Sequence, residues 1–131
     1  AGAENAEPSL SGTETILIVE DEESIRSMIA RMLEKYGYKI ITAASPLDAL
    51  RLAAECGDTI NLLITDVVMP EMNGRELAEK MMPDHPHMKI LYMSGYTANV
   101  IAHRGVLEDN VEFLSKPFGR KQLSEKLQKL L

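Results

Sequence analysis

The stretch NLLITDVVMPEMNG, residues 61–74, places an apolar run directly before a carboxylate, Asp66, and then breaks into Pro70, Asn73 and Gly74. A short, β-branched apolar run closed by turn-forming residues reads as a strand buried on both faces of a sheet. A carboxylate at the end of such a segment costs free energy to desolvate. That cost makes sense only where the strand leaves the sheet and the acid meets other groups.

Working outward, the hydrophobic period alternates along the chain. TILIVE (15–20) is a β-branched run with an acidic end; Ile25, Met28, Ile29, Met32, Leu33 and Tyr36 then recur at helical spacing, closing at Gly37. YKIITAA (38–44) is a second strand, followed by Ser45-Pro46-Leu47-Asp48, which supplies a cap, a proline at the first helical position and an early acid. Leu47, Leu50 and Ala54 are expected to form that helix's buried face, and Gly57 to end it. INLLIT (60–65) is the third strand, with a shorter helix from about Gly74 to Met82, stopped by Pro83. MKILYM (88–93) follows, then a weaker helix over TANVIAHR (97–104), the strand VEFLS (111–115) and a final helix marked by Leu123, Leu127 and Leu130.

Five strands alternating with five helices predict an α/β fold, an open doubly wound parallel sheet with helices on both faces. Residues 15–131 are too few for an eight-fold barrel. The chain has 131 residues, which suits one domain with a single core. Residues 1–13 carry one large apolar side chain, Leu10, and read as a flexible tail or linker before a domain over 14–131. The first residue is not Met, so a processed chain or a piece of a longer one is expected. No apolar stretch approaches membrane-spanning length, and no signal peptide is evident. Cys56 has no second cysteine to pair with, which fits a reducing cytoplasm. The net charge of -6 argues against a nucleic-acid surface, and Arg120, Lys121, Lys126 and Lys129 on the last helix read as a solvated face.

In doubly wound sheets, ligands bind at the carboxyl ends of the strands. Those ends carry Glu20-Asp21, then Asp66, then Ser94 and finally Lys116. Singly, each is an ordinary cap, turn or surface residue. Together, three carboxylates on one edge repel: two charges about 5 Å apart at an effective dielectric of about 20 cost about 3 kcal/mol. A cation, a nearby Lys or proton uptake must offset that; a hard divalent cation with oxygen ligands, Mg2+ rather than a full Ca2+ cage, is the natural solution. His85 and His87 flank Pro86 in a polar connection where no metal role is expected, and His103 reads as a surface residue. A carboxylate can act as a nucleophile toward phosphorus, giving an aspartyl-phosphate. The cation, Lys116 and the Ser94 hydroxyl would share the charge of the transferred group, with Asp66 the best nucleophile candidate.

Four stretches carry a family likeness: ILIVEDE (16–22), LLITDVVMPEMNG (62–74), ILYMSGYT (90–97) and FLSKPF (113–118). Through them the chain resembles the receiver domain of two-component response regulators over about residues 14–131. The resemblance implies a flavodoxin-like fold of strand order 2-1-3-4-5. It implies that Asp66 accepts the phosphoryl group, and that Asp21 binds Mg2+ directly with Glu20 acting through water. Glu20 is a mild variation, since that pair is commonly two aspartates. It further implies the Val68 carbonyl as the third protein ligand, Ser94 as the switch hydroxyl, Lys116 as the phosphate-contacting lysine and a cis Lys116–Pro117 peptide. Phe113 falls at the aromatic switch position, with the fourth helix and fifth strand as the bistable side and the place for any dimer contact. The order of tail and receiver, with MSGYT and FLSKPF, is similar to the C-terminal receiver of a hybrid sensor histidine kinase. The implied partners are then a phosphohistidine on a kinase and a histidine phosphotransfer bundle, in the cytoplasm; a free-standing single-domain regulator is the alternative.

Other classes fit the residues less well. A flavin site would want a Ser, Thr and Gly-rich loop where EDEES stands, and a dehalogenase-type phosphatase a second acid at position 68. A scaffold that is never phosphorylated would lack one of the key residues, and none is missing. Neither Val68 nor Tyr96 offers an amide or carboxylate to orient an attacking water, so slow loss of the phosphoryl group is expected.

Overall fold

The computed structural model describes residues 13–56, 60–69, 71–95 and 112–131. The tail before residue 13, Gly57, Pro70, Tyr96, the helix expected over 97–104 and His103 lie outside those residues. The described elements are β1 (Thr15–Val19), α1 (Glu23–Glu34), β2 (Lys39–Ala43), α2 (Pro46–Cys56), β3 (Leu62–Asp66), α3 (Gly74–Met81), β4 (Lys89–Ser94), β5 (Glu112–Ser115) and α4 (Arg120–Leu130). The five strands form one parallel sheet in the order β2-β1-β3-β4-β5. Among the described residues there are thus four helices rather than five.

The central strands are apolar on both sides because both sides are covered. From β1 and β3, Ile16, Ile18, Leu62 and Ile64 face one layer, packed with Ile29 and Leu33 of α1 and Leu123 and Leu127 of α4. Leu17, Val19 and Leu63 face the other, against Ala49 and Ala53 of α2 and Leu77, Ala78 and Met81 of α3. Every residue of β1 and β3 is buried, whereas β2, an edge strand, is fully buried only at Ala43. No helix of the described residues is long and apolar enough to cross a membrane.

Helix boundaries follow local chemistry. The Ser45 hydroxyl accepts from the Asp48 N–H at 3.1 Å, with Pro46 at the first helical position. Asn73 and Glu76 form a reciprocal capping box at the start of α3. Gly37 turns the chain out of α1 with φ of 93°, a conformation glycine adopts without strain.

Several sequence expectations need correction. β3 and β4 run one residue further than read, so Asp66 and Ser94 are the last residues of their strands. The buried stripe of α2 is Pro46, Ala49 and Ala53; Leu47 is 59% exposed and Ala54 is exposed, while Leu50 packs only at the margin. Small residues on the sheet side let the helix approach closely, and Leu47, in the first turn, projects to solvent. Met28 likewise sits at the rim of α1. His85 is buried rather than set in a polar connection, and its Nδ1 accepts from the Ile60 N–H at 3.0 Å.

Candidate functional site at the carboxyl edge of the sheet

Adjacent parallel strands that end in register deliver their last residues to one edge. Asp66 pairs with Met93, Ser94 with Ser115, and Val19 with Ala43. Glu20 and Asp21 follow β1 immediately, and Lys116 follows β5. The chain order β1, β3, β4, β5 therefore becomes a spatial cluster.

Lys116 lies at its centre. Its Nζ is 2.6 Å from Asp66 Oδ1 and 2.5 Å from Glu20 Oε1. Its main-chain N–H donates to the Ser94 carbonyl at 2.8 Å, and the Lys116–Pro117 peptide is cis. Glu20 is 1% exposed and held from four sides. Its N–H donates to the Ala43 carbonyl, its own carbonyl accepts from Arg26, and its two carboxylate oxygens accept from the Glu22 N–H and from Lys116. Asp21 is exposed. Carboxylate oxygens of Glu20, Asp21 and Asp66 all lie within 4.8 Å of one another.

The electrostatics follow from burial. Desolvation pushes the Glu20 carboxyl up to about 7, against the opposing hydrogen bonds from Lys116 and the Glu22 N–H, with the Asp66 charge adding to the rise. Burial pulls the Lys116 ammonium down, but its hydrogen bonds to Asp66 and Glu20 outweigh that and hold it above its ordinary value. One ammonium thus offsets part of the mutual repulsion of three carboxylates. Oxygen-only donors of this charge and spacing suit a small hard cation that keeps several waters, which is the chemistry of Mg2+.

The turn after Asp66 is tightly built. Thr65 Oγ1 donates to the Asp66 carbonyl at 2.9 Å, and the Gly74 N–H donates to the Val67 carbonyl at 2.8 Å. A Cβ on Gly74 would stand 2.3 Å from that same Asp66 carbonyl oxygen, so only glycine lets α3 begin this close to β3. Val68 is 57% exposed beside the cluster. Ser94 is buried at the end of β4. Phe113 is half-buried on β5, directly opposite Tyr92, beside a small cluster of Val67 and Tyr92.

The structure therefore brings Glu20, Asp21, Asp66 and Lys116 together and ties Ser94 to Lys116 through the main chain, while Phe113 lies outside the charged cluster. Sequence reading missed Arg26 and the close approach at Gly74. The available signal for Arg26 was a long cationic side chain one helical turn beyond an acidic pair.

Comparison with known proteins finds chains of similar sequence and fold. A family model described as the response regulator receiver domain matches residues 16–128. The chain is 38% identical over 122 residues to the sensor kinase CckA of Brucella abortus, a match covering 93% of this chain and 13% of that protein's length. It is 33% identical over 116 residues to the response regulator receiver protein CpdR of the same organism, covering 88% of this chain and 95% of that one. Among solved structures, the receiver domain of the hybrid histidine kinase CckA superposes with a TM-score of 0.75 at 38% identity, covering 89% of this chain and 98% of that one. The Vibrio cholerae chemotaxis protein CheY4 superposes with a TM-score of 0.78 at 30% identity, covering 92% and 100%.

Proposed function

The chain belongs to the response regulator receiver domain family of two-component systems, and from that premise we propose that it takes a phosphoryl group from a phosphohistidine onto Asp66. The observation that carries this reading is the Lys116 ammonium, bonded at once to Asp66 and to Glu20 at the strand ends. An Asp66 Oδ attacks phosphorus in line; the O–P bond forms as the P–N bond breaks, and the electron pair leaves with the imidazole. Lys116 donates to the equatorial oxygens as their charge shifts, and burial of Glu20 and Asp66 keeps bulk water from screening that interaction. Asp21 and Glu20, with Asp66 and the Val68 carbonyl, would hold Mg2+, which supplies further positive charge to the phosphoryl oxygens. Ser94 then turns its hydroxyl toward the new oxygens, vacating space into which Phe113 turns.

The share of CckA that the chain covers supports a receiver within a hybrid histidine kinase, passing the group on to a histidine phosphotransfer protein in the cytoplasm. The near-complete coverage of CpdR favours the alternative of a free-standing regulator. Any self-association would use the side of β5. Beryllofluoride mimics a phosphoryl group on a carboxylate. In NMR titrations with Mg2+, it should shift amides along the carboxyl edge of the sheet in the wild type and not in Asp66→Asn. Equal shifts in both proteins would refute the assignment of Asp66.

A further inference from the structure

The side chain of Arg26 folds back from α1 onto the connection that precedes it. Its guanidinium donates to the Glu20 carbonyl at 2.8 Å and lies 3.5 Å from the Asp21 carbonyl. We propose that Arg26 is a positioning residue for the acidic pair, fixing the Glu20–Asp21 backbone so that both carboxylates face the cation site. The role rests on the reading that this pair holds Mg2+.

The local structure leaves Arg26 a specific task. Glu22, at the N-cap of α1, makes no side-chain capping bond, so the helix start does not anchor the connection by the usual means. The Glu20 side chain is engaged by Lys116 and by the Glu22 N–H, and its own N–H by Ala43. Arg26 supplies the bond to the Glu20 carbonyl, the group that sets the direction of the next peptide and of the exposed Asp21. A planar guanidinium with several donors can span two successive carbonyls, which a single ammonium does less well.

Charge and geometry make opposite demands here. A fixed cation beside a cation site repels the incoming ion, so by field alone neutralising Arg26 would tighten Mg2+ binding. A group that orients metal ligands has the reverse effect when removed, commonly at least about tenfold in metal affinity. The sign of the change therefore separates the two roles.

The test is isothermal titration of Mg2+ into the wild type, Arg26→Gln, Arg26→Lys and, as a control on a remote helix, Arg51→Gln. Arg26→Gln is expected to bind about tenfold more weakly, Arg26→Lys to fall between it and the wild type, and Arg51→Gln to match the wild type. Amide hydrogen exchange in chelator should quicken at Asp21 and Glu22 in Arg26→Gln while β1 and β3 stay protected. Unchanged or tighter binding by Arg26→Gln, or unaltered exchange at Asp21 and Glu22, overturns the positioning role. If Arg26→Gln does not fold, Arg26→Lys decides: weaker binding at unchanged thermal stability supports the role, and wild-type binding overturns it. A wild type that takes up no Mg2+ would remove the metal reading itself, an outcome distinct from an intact wild-type isotherm shared by the variants.

Discussion

Replacing Glu20 by Gln should stabilise the protein when divalent cations are chelated, although it removes a charge that is paired with Lys116. Burial raises the Glu20 carboxyl from 4.5 to about 7. The folded chain thus keeps a proton through a pH window in which the unfolded chain has lost it. Stability from this group falls as pH rises from about 4.5 to about 7 and is flat above. At about 1.4 kcal/mol per pH unit the loss is about 3 kcal/mol. Glutamine keeps an acceptor for Lys116 but cannot satisfy both donors as a carboxylate does, which returns about 1 kcal/mol. The net gain at pH 8 is therefore about 2 kcal/mol, or roughly 5–10 °C in Tm for a domain of this size. Paired thermal melts of wild type and Glu20→Gln in chelator, from pH 4.5 to 8, give the difference directly, because the slopes of all other groups cancel. With saturating Mg2+ the order should invert, since the ion stabilises the protein that binds it. A difference that does not grow with pH, or a variant less stable than wild type at pH 8 in chelator, would refute the reasoning.

Other perturbations test separate parts of the structure. Gly74→Ala puts a methyl 2.3 Å from the Asp66 carbonyl oxygen and should cost about 2–3 kcal/mol in urea denaturation. His85→Leu leaves the buried Ile60 N–H without its acceptor and should cost about 1–3 kcal/mol, visible as a lower urea midpoint. Val68, exposed beside the cluster, has no group to orient water, so Val68→Asn should shorten the lifetime of the phosphoryl form in a decay assay.

Much of this molecule could be read from its residues. The apolar runs of β1 and β3 are unambiguous because both faces are buried, and the turn residues that follow them mark the edge where charged groups emerge. Phase was harder to read. On α2 the leucines suggested the buried side, yet Ala49 and Ala53 face the sheet, because close approach rewards small side chains and a leucine in the first turn can project past the sheet. The burial of His85 depends on a bond to Ile60, 25 positions away, which no local pattern encodes. Glu20, Asp21, Asp66 and Lys116 were identifiable as a set from strand ends alone. The way Glu20 is gripped by Ala43, Glu22, Arg26 and Lys116 was not, because main-chain acceptors leave no trace in side-chain chemistry.

The most direct test of the central claim is intact-mass analysis after incubation with Mg2+ and acetyl phosphate, followed by peptide mapping. One phosphoryl group is expected on the wild type, located at Asp66, and none on Asp66→Asn or in chelator. A wild type that stays unmodified, or an Asp66→Asn protein modified to the same extent, would contradict the claim.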